Sequence, residues 1–242
     1  MIEASGNATW IVIPVKRLES AKQRLAPVLP AHARRELALA MLRDVLEAAT
    51  PVRGIRGVAV VTPDERLRPV CDAYGATWLG EESVSGMNAA VAHAARVLEA
   101  SGAARTVVIP ADLPAVSVAA VERVLAEITA DVAILRDRRG RGTNMLACRP
   151  PSAIQPRFGT GSFAAHIEAA WARGLTPQEI HSPAFACDVD TPEDLLALTR
   201  GACGRNTARW IEHYRAGIES GSNGEVAPSL GAGQTTTWGK EA

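Results

Sequence analysis

Short, uninterrupted runs of apolar residues alternate along this chain with longer stretches in which apolar residues recur every three or four positions. The runs are rich in β-branched residues and are bounded by polar or turn-forming ones, which predicts buried strands. The predicted strands are Trp10–Val15, Gly57–Val61, Ala76–Leu79, Arg105–Pro110, Asp131–Leu135, Met145–Cys148 and a last one near Phe185–Cys187.

The stretches with helical spacing lie between these strands, and several begin with capping residues. Ala31–Thr50 is the longest, and Pro51 and Gly54 end it. The other predicted helices are one that Thr62 caps and that ends at Tyr74, Met87–Ala100, one capped by Ser117, one from Ser162 to about Arg173, one from the Thr191–Asp194 capping box to about Arg200, and Asn206–Glu219.

Strands that alternate with helices predict an α/β fold, with a mostly parallel sheet and helices on both faces. In such sheets ligands bind beyond the carboxyl ends of the strands. The residues that directly follow strands are therefore the informative ones, namely Lys16, Thr62, Asp112 and Asp188.

Composition narrows the function. The chain has 242 residues, of which 47% are hydrophobic, and its formal net charge is zero, so a nucleic-acid polymer is an unfavoured partner. The four cysteines contain no C-x-x-C pair, which predicts buried reduced thiols and neither a zinc site nor a disulfide framework. No apolar run approaches a membrane span, so we expect a soluble, cytoplasmic protein with no membrane partner.

The apolar pattern weakens after residue 200. We therefore predict a main domain over residues 1–200, followed by a C-terminal helix and a flexible tail over residues 201–242. The last part, Ser220–Ala242, is rich in Gly, Ser and Thr and poor in apolar residues.

A cationic loop follows the first predicted strand and contains Lys16, Arg17, Lys22 and Arg24. Two of the chain's three lysines lie in this loop, although arginine is by far the commoner cation. An ammonium group is a compact point charge that suits a phosphate oxygen. The loop thus predicts a polyphosphate site, and a solvated charged turn is the alternative.

Three aspartates follow predicted strands. Asp112 ends the fourth strand, and Asp188 and Asp190 are separated by one residue, so that an extended backbone would point both carboxylates to one side. Carboxylates together with phosphate oxygens make a good Mg²⁺ site. The alternatives are that Asp112 is a cap or turn residue and that Asp190 merely begins the last helix.

Two glycine-rich turns, Gly140–Asn144 and Phe158–Ser162, could present backbone N–H groups to an anion, although ordinary tight turns are the commoner explanation. Gly86-Met87-Asn88 begins a helix, where Asn88 could simply be a cap. The five histidines show no metal-ligand spacing and are interpreted as structural. Neither a Gly-x-Ser-x-Gly elbow nor a Walker A motif occurs, which disfavours a serine hydrolase and a P-loop NTPase.

Taken in order, these motifs resemble those of the 2-phospho-L-lactate guanylyltransferase family. The resemblance spans about residues 9–200. The matching segments are Ile13-Pro-Val-Lys16, Lys22-x-Arg24-Leu25, Pro110-Ala-Asp-Leu-Pro114, Gly142-Thr-Asn144, Arg157-Phe-Gly-x-Gly-Ser162 and Asp188-x-Asp190.

The family includes the phosphoenolpyruvate and 3-phospho-D-glycerate guanylyltransferases of coenzyme F420 biosynthesis. It implies the nucleotide-diphospho-sugar transferase fold, a MobA-like, Rossmann-like architecture. Molybdopterin guanylyltransferases share that fold but carry a Gly-Gly loop after the first strand. Here Pro14-Val15-Lys16 takes its place, which favours the F420 branch.

The resemblance also implies roles for individual residues. Lys16, Lys22 and Arg24 would bind GTP phosphates, and Asp112, Asp188 and Asp190 would bind Mg²⁺. The nucleoside would face Thr62, Gly86 and Asn88. The acceptor would contact Thr143, Asn144, Gly159 and Ser162, with Met87 shaping its pocket.

The implied reaction transfers GMP from GTP to a small phosphorylated acid, with release of pyrophosphate. The acceptor is 3-phospho-D-glycerate, phosphoenolpyruvate or 2-phospho-L-lactate, and Met87 favours the first two. The product would pass to a downstream transferase, and the enzyme could be a homodimer. The alternatives are a molybdopterin or sugar-phosphate nucleotidyltransferase, a glycosyltransferase, and a module that binds GTP without turnover. The segment after Arg200 has no role assigned by the resemblance.

Overall fold

The computed structural model describes residues 8–80 and 86–219. The strands are β1 Thr9–Pro14, β2 Gly57–Thr62, β3 Thr77–Gly80, β4 Arg105–Val108, β5 Val132–Arg136, β6 Thr143–Cys148 and β7 Gln178–Ile180. The α-helices are α1 Ala31–Ala49, α2 Arg68–Ala73, α3 Met87–Ala100, α4 Val118–Glu127, α5 Ser162–Trp171, α6 Pro192–Leu198 and α7 Arg205–Glu219. Short 3₁₀ turns lie at Leu18–Ser20, Gln23–Leu25, Glu65–Leu67 and Pro183–Phe185.

The seven strands form one sheet in the order β3-β2-β1-β4-β6-β5-β7. β1 pairs in parallel with β2 and β4, β2 with β3, and β5 with β7, whereas β6 runs antiparallel to both its neighbours. The predicted mostly parallel α/β fold is confirmed. Because β6 is reversed, its first residues lie at the edge where the parallel strands end.

Both faces of the sheet are covered, as the apolar runs require. Along β1, Ile11 and Ile13 face a cluster formed with α1, α2 and α4, while Val12 faces a second cluster formed with α3 and α5. Each of these three side chains is at most 1% exposed. A strand that is buried on both sides needs no polar alternation, which explains its continuous apolar sequence.

The predicted position of the last strand is wrong. The last strand lies at Gln178–Ile180 and not at Phe185–Cys187, because Pro183–Phe185 closes a 3₁₀ turn in which Phe185 N–H donates to Ser182 O. The true strand is short and partly polar, so no apolar run marks it.

Thr62 is not a helix cap. It is the last residue of β2 and is fully buried, and its Oγ1 accepts a hydrogen bond from Asp64 N–H at 3.1 Å. The capping residue is Asp64, whose side chain accepts from Arg66 N–H.

Helix α7 packs against α1 and contributes Ile211 to a third apolar cluster, with Met41 of α1 and Val189. Asp44 of α1 is only 3% exposed, and its carboxylate accepts hydrogen bonds from the N–H groups of Asn206 and Thr207, each at 2.9 Å. The start of α7 is thus capped by a residue of α1. The tail predicted for residues 220–242 lies outside the described residues.

The capping predictions for α4 and α6 are confirmed. Ser117 accepts from Ala120 N–H, and Thr191 and Asp194 form a reciprocal capping box. The cysteines are free, and Cys187 is exposed, which corrects the prediction of four buried thiols. Within the described ranges, no helix is both long and apolar enough to cross a membrane.

Candidate functional site

The cationic loop leaves the carboxyl end of β1 through two 3₁₀ turns and brings Lys22 back to the sheet edge. Lys22 Nζ lies 2.6 Å from Asp112 Oδ2 and 2.8 Å from Asp190 Oδ1. Its side chain is only 9% exposed. Among the described non-glycine residues, Lys22 alone has a positive φ, at 51°. This backbone conformation is unfavourable for an L-residue, and the two ion pairs offset that cost.

The ion pairs also govern the protonation states. Burial alone would lower the pKa of Lys22, but the charges of Asp112 and Asp190 outweigh it and raise that pKa above its ordinary value. Burial opposes ionisation of Asp190, yet Lys22, Arg24 and Lys16 together hold its pKa below the ordinary range. Near neutral pH the ammonium of Lys22 and the carboxylate of Asp190 are therefore both charged.

Asp188 differs from its neighbour. Burial, and then the negative charge of Asp112, raise the pKa of Asp188, while a hydrogen bond from Asn144 opposes that shift. Asn144 is 5% exposed, and its Nδ2 donates to Phe185 O at 2.8 Å and to Asp188 Oδ1 at 3.2 Å. The amide of Asn144 therefore holds one oxygen of the Asp188 carboxylate in place.

The fit of this cluster to a divalent cation can be judged from its donors. In residues 8–80 and 86–219, no group of three or more His, Cys, Asp or Glu side chains is arranged to hold a metal by itself. Lys22 is paired with both Asp112 and Asp190, and the negative charge of Asp112 also repels that of Asp188. Mg²⁺ in nucleotide sites commonly uses one or two carboxylates together with substrate phosphates. The donor set therefore fits a hard cation that phosphate oxygens help to bind.

The other loop cations are more exposed than Lys22. Arg24 is 70% exposed and lies 3.7 Å from Asp190 Oδ2. Lys16 is exposed, but its charge contributes to the lowered pKa of Asp190, so it faces the same cluster. The structure thus brings Lys16, Lys22 and Arg24 together with the three aspartates, as the sequence predicts.

Asp64 is a residue whose importance the sequence did not reveal. It is 1% exposed, and its Oδ2 accepts a hydrogen bond from Leu18 N–H at 3.0 Å. Arg66 binds the same carboxylate at 2.6 and 2.7 Å, and it also pairs with Glu19 of the cationic loop. Asp64 and Arg66 thus tie the turn after β2 to the start of that loop. Nothing in the local sequence separates this role from that of an ordinary helix cap.

The glycine-rich turn of residues 157–162, here called the glycine loop, leads into α5. Gly159 and Gly161 have φ values of 132° and 74°, and Ser162, 2% exposed, is the first residue of the helix. Asn88, on the neighbouring helix α3, binds this loop: its Nδ2 donates to Phe158 O at 3.1 Å, and its Oδ1 accepts from Phe158 N–H at 2.6 Å. Asn88 is not a cap, since Gly86 occupies the N-cap position of α3.

His166 of α5 is fully buried beneath the glycine loop. Its Nε2 accepts a hydrogen bond from Arg157 N–H at 2.8 Å, and its Nδ1 lies 3.0 Å from Thr143 Oγ1. Because a backbone N–H can only donate, Nε2 carries no proton, which assigns the proton to Nδ1. Burial, and then the charge of Arg157, lower the pKa of His166 to about 4, so the ring is neutral at physiological pH.

The remaining predicted site residues are distributed as follows. Thr143 and Asn144 are consecutive in β6 and point to opposite faces of the sheet, towards His166 and Asp188 respectively. Met87 is partly buried against the α3–α5 cluster. Gly86 is exposed at the start of α3. The side chain of Thr62 is buried and bonded to Asp64, which leaves it poorly placed for contact with a nucleoside.

Residues 9–226 match the model of the family described as guanylyl transferase CofC-like. The chain belongs to this family. It is 39% identical over 194 residues to the phosphoenolpyruvate guanylyltransferase of Conexibacter woesei, covering 79% of this chain and 87% of that protein. It is 36% identical over 227 residues to the same-named protein of Mycobacterium ulcerans, covering 88% and 99% of the two chains. The chain is thus a nucleotidyltransferase of the guanylyltransferase type.

Solved structures support the fold. A crystal structure assigned to the nucleotide-diphospho-sugar transferases, from Desulfovibrio desulfuricans G20, has a TM-score of 0.69 at 19% identity and covers 88% of this chain and 98% of that one. A nucleotidyl transferase from Methanothermobacter thermautotroptrophicus has a TM-score of 0.54 at 18% identity, with 86% and 99% covered. At these identities the likeness establishes the architecture alone.

Proposed function

We propose that this chain transfers GMP from GTP to phosphoenolpyruvate or a closely related phospho-acid, in the biosynthesis of coenzyme F420. The observation that carries the proposal is the meeting of the cationic loop with Asp112, Asp188 and Asp190 at one edge of the sheet. Phosphoenolpyruvate is the first choice of acceptor because relatives 36–40% identical bear that name. The alternatives are 3-phospho-D-glycerate and 2-phospho-L-lactate.

The triphosphate half of the site is the cationic loop. Lys16 and Arg24 are exposed and can turn towards a polyphosphate, while Lys22 is held at the carboxylates. Positive charge around the β- and γ-phosphates stabilises the pyrophosphate that departs. The partly buried hydrogen bond from Leu18 N–H to Asp64 fixes the start of this loop, so the loop loses less conformational freedom when nucleotide binds.

Mg²⁺ is the proposed cofactor, and Asp112 and Asp188, with Asp190 beside them, are the residues that would hold it. When bound, the ion would neutralise phosphate charge and polarise the α-phosphate. Asn144 serves this arrangement by keeping Asp188 in place, and its amide lies within hydrogen-bond distance of that carboxylate at 3.2 Å.

The acceptor half is the glycine loop and the start of β6. Gly159 and the buried Ser162 precede and begin α5, and the positive end of the helix dipole there favours an anion. Thr143 and Asn144 hold this half in place, because Thr143 is hydrogen-bonded to His166 and Asn144 to Asp188. The phosphate of the acid would lie between this loop and the aspartates.

The chemistry needs no protein nucleophile. An oxygen of the acceptor phosphate forms a bond to the α-phosphorus of GTP, and the bond from that phosphorus to the bridging oxygen of pyrophosphate breaks. The attacking phosphate is already ionised near neutral pH, so the enzyme's task is to position the reactants and to balance their charge. The product is an activated nucleotide conjugate, which suits consumption by a downstream transferase, and a homodimer is compatible with the proposal.

The test is an assay of purified protein with Mg²⁺, each of the four ribonucleoside triphosphates and each of the three acids, read by pyrophosphate release and mass spectrometry. We expect a GMP conjugate with GTP and an acid, and loss of roughly 100-fold or more in rate for Asp112→Asn. The matched control is Asp131→Asn, an exposed aspartate that pairs with Arg149 before the start of β5, which should retain activity. Transfer only to a sugar phosphate, or GTP binding without pyrophosphate release for any acid, would contradict the proposal.

A further inference from the structure

The glycine loop has little packing of its own. A Cβ built on Gly159 or Gly161 would meet no atom within 4 Å apart from its chain neighbours, so open space lies on that side of the backbone. Glycine residues also have the greatest conformational freedom to lose. One backbone bond lies within the loop, from Ser162 N–H to Gly159 O at 3.1 Å, and it does not hold residues 157 and 158. Groups outside the loop must therefore fix its start.

Two side chains fix the start of the glycine loop. His166 accepts from Arg157 N–H below the loop, and Asn88 makes paired hydrogen bonds with the backbone of Phe158 from the side of α3. The Phe158 ring also packs edge-on against His166, with 4.9 Å between the ring centroids and 72° between the planes. Consecutive loop residues are thus held by two helices.

His166 links the loop to the sheet as well. Its other nitrogen bonds Thr143 Oγ1, and Thr143 begins β6 beside the residue that orients Asp188. Phe163 N–H donates to Arg141 O at 3.1 Å, which joins the first turn of α5, directly after the glycine loop, to the turn that precedes β6. The buried ring of His166 therefore fixes the position of the glycine loop relative to β6, the strand on the acceptor side of the site.

We propose that His166 and Asn88 are positioning residues for the phospho-acid, because together they hold the start of the glycine loop so that the amides of residues 159–161 can bind the acceptor phosphate. This inference rests on the proposed function, which places the acceptor at that loop. Neither side chain is a catalytic residue, since both act through the backbone that they hold.

The effect should fall on the acceptor and not on GTP. The cationic loop leaves β1, and β4 separates β1 from β6, so the two halves are about 10 Å apart at the sheet edge. Loosening the glycine loop misplaces the group that attacks, while the triphosphate keeps its own contacts.

Four variants test this pair. Asn88→Ala removes both bonds to Phe158 at an exposed position, so folding is not at risk, and Asn88→Asp retains the acceptor oxygen. His166→Gln places an amide oxygen near the position of Nε2 and keeps an acceptor for Arg157 N–H, whereas His166→Asn places its amide near Nδ1 and keeps only the link to Thr143. The matched control is His93→Gln, a histidine elsewhere on α3.

We expect Asn88→Ala and His166→Asn to raise the KM for the acid roughly tenfold or more while the KM for GTP stays within about twofold. His166→Gln and Asn88→Asp should recover part of the loss. Hydrogen exchange at the amides of residues 157–162 should accelerate in the two damaging variants and not in the control.

Unchanged acceptor KM and unchanged amide exchange in Asn88→Ala and His166→Asn, with an active wild-type protein, would overturn the positioning role alone. Equal rises in both KM values, or a loss confined to kcat, would overturn it too and indicate general structural damage. Failure of the wild-type protein to guanylylate any acid would overturn the proposed function, and this role with it.

Discussion

At the scale of single residues, the site is organised by Lys22. The sequence places this lysine and the aspartates on one rim, but only the structure shows Lys22 inserted between Asp112 and Asp190. A buried ammonium between carboxylates holds their charges together, and breaking a buried pair by removal of one partner is strongly destabilising. The contact also means that Lys22 and a divalent cation would compete for the same oxygens.

The variant Lys22→Met tests that competition. Methionine keeps the length of the side chain and removes the charge, so the carboxylates lose their counter-charge. We expect tighter binding of Mn²⁺ in the absence of nucleotide, measured by calorimetry, together with a fall in guanylyl transfer of roughly 100-fold or more.

Arg17→Met is the control, since Arg17 is exposed in the same loop and has no role assigned to it in the site. That variant should change neither quantity. If Lys22→Met bound Mn²⁺ no better than wild type and kept full activity, the assignment of Lys22 to the centre of the site would be wrong.

At the scale of elements, the sequence predicted the strands and helices whose apolar residues follow one regular spacing. Strands buried on both faces, such as Thr9–Pro14, are continuous apolar runs, and helices such as Ala31–Ala49 carry an apolar face. β7 was not predicted, because a partly polar edge strand of three residues shows neither pattern. The reversed direction of β6 also leaves no local trace, since strand direction depends on partners far along the chain.

Some residues of the candidate site could likewise be predicted from the sequence, and others could not. Charged residues after strands were predicted because a carboxylate or ammonium at the end of an apolar run is conspicuous. His166, Asn88 and Asp64 act through backbone groups of distant segments, and a sequence pattern does not show which N–H a buried side chain will meet. Such long-range hydrogen bonds are consequences of the fold and not of local spacing.

The entry into α7 provides a prediction at this scale. Gly204 N–H donates to Pro114 O at 2.7 Å, and a Cβ added at Gly204 would lie 2.2 Å from Asp44 Cγ. Gly204→Ala must therefore displace the carboxylate that caps α7. We expect a loss of about 1–3 kcal/mol in the free energy of unfolding, measured by urea denaturation.

Gly201→Ala is the matched control, because a Cβ there would meet only Ala197 O, at 3.4 Å. It should cost less than Gly204→Ala. Equal effects from the two substitutions would show that the close approach of Asp44 to the start of α7 is not what requires glycine.

At the scale of the whole molecule, the carboxyl edge of the sheet collects segments that lie far apart in sequence. The loop after β1, the Asp112 segment, the start of β6 and the Asp188–Asp190 segment all reach it. The segment beyond residue 200 contacts this edge, since the hydrogen bond from Gly204 N–H to Pro114 O links it to the turn that follows Asp112. The extension is thereby connected to the site, although it supplies none of the residues assigned to it.

A chain ending at Arg200 tests whether the first 200 residues form an independent domain. This truncation removes α7. It would leave the buried Asp44 carboxylate without the N–H donors of Asn206 and Thr207 and would expose Met41. An uncompensated buried carboxylate and newly exposed apolar surface should together cost about 3 kcal/mol or more in the free energy of unfolding. The comparison is urea denaturation of this chain and of one ending at Glu219, which keeps every described residue. Equal stability of the two would support the predicted boundary at residue 200, whereas the expected loss would make α7 part of the main domain.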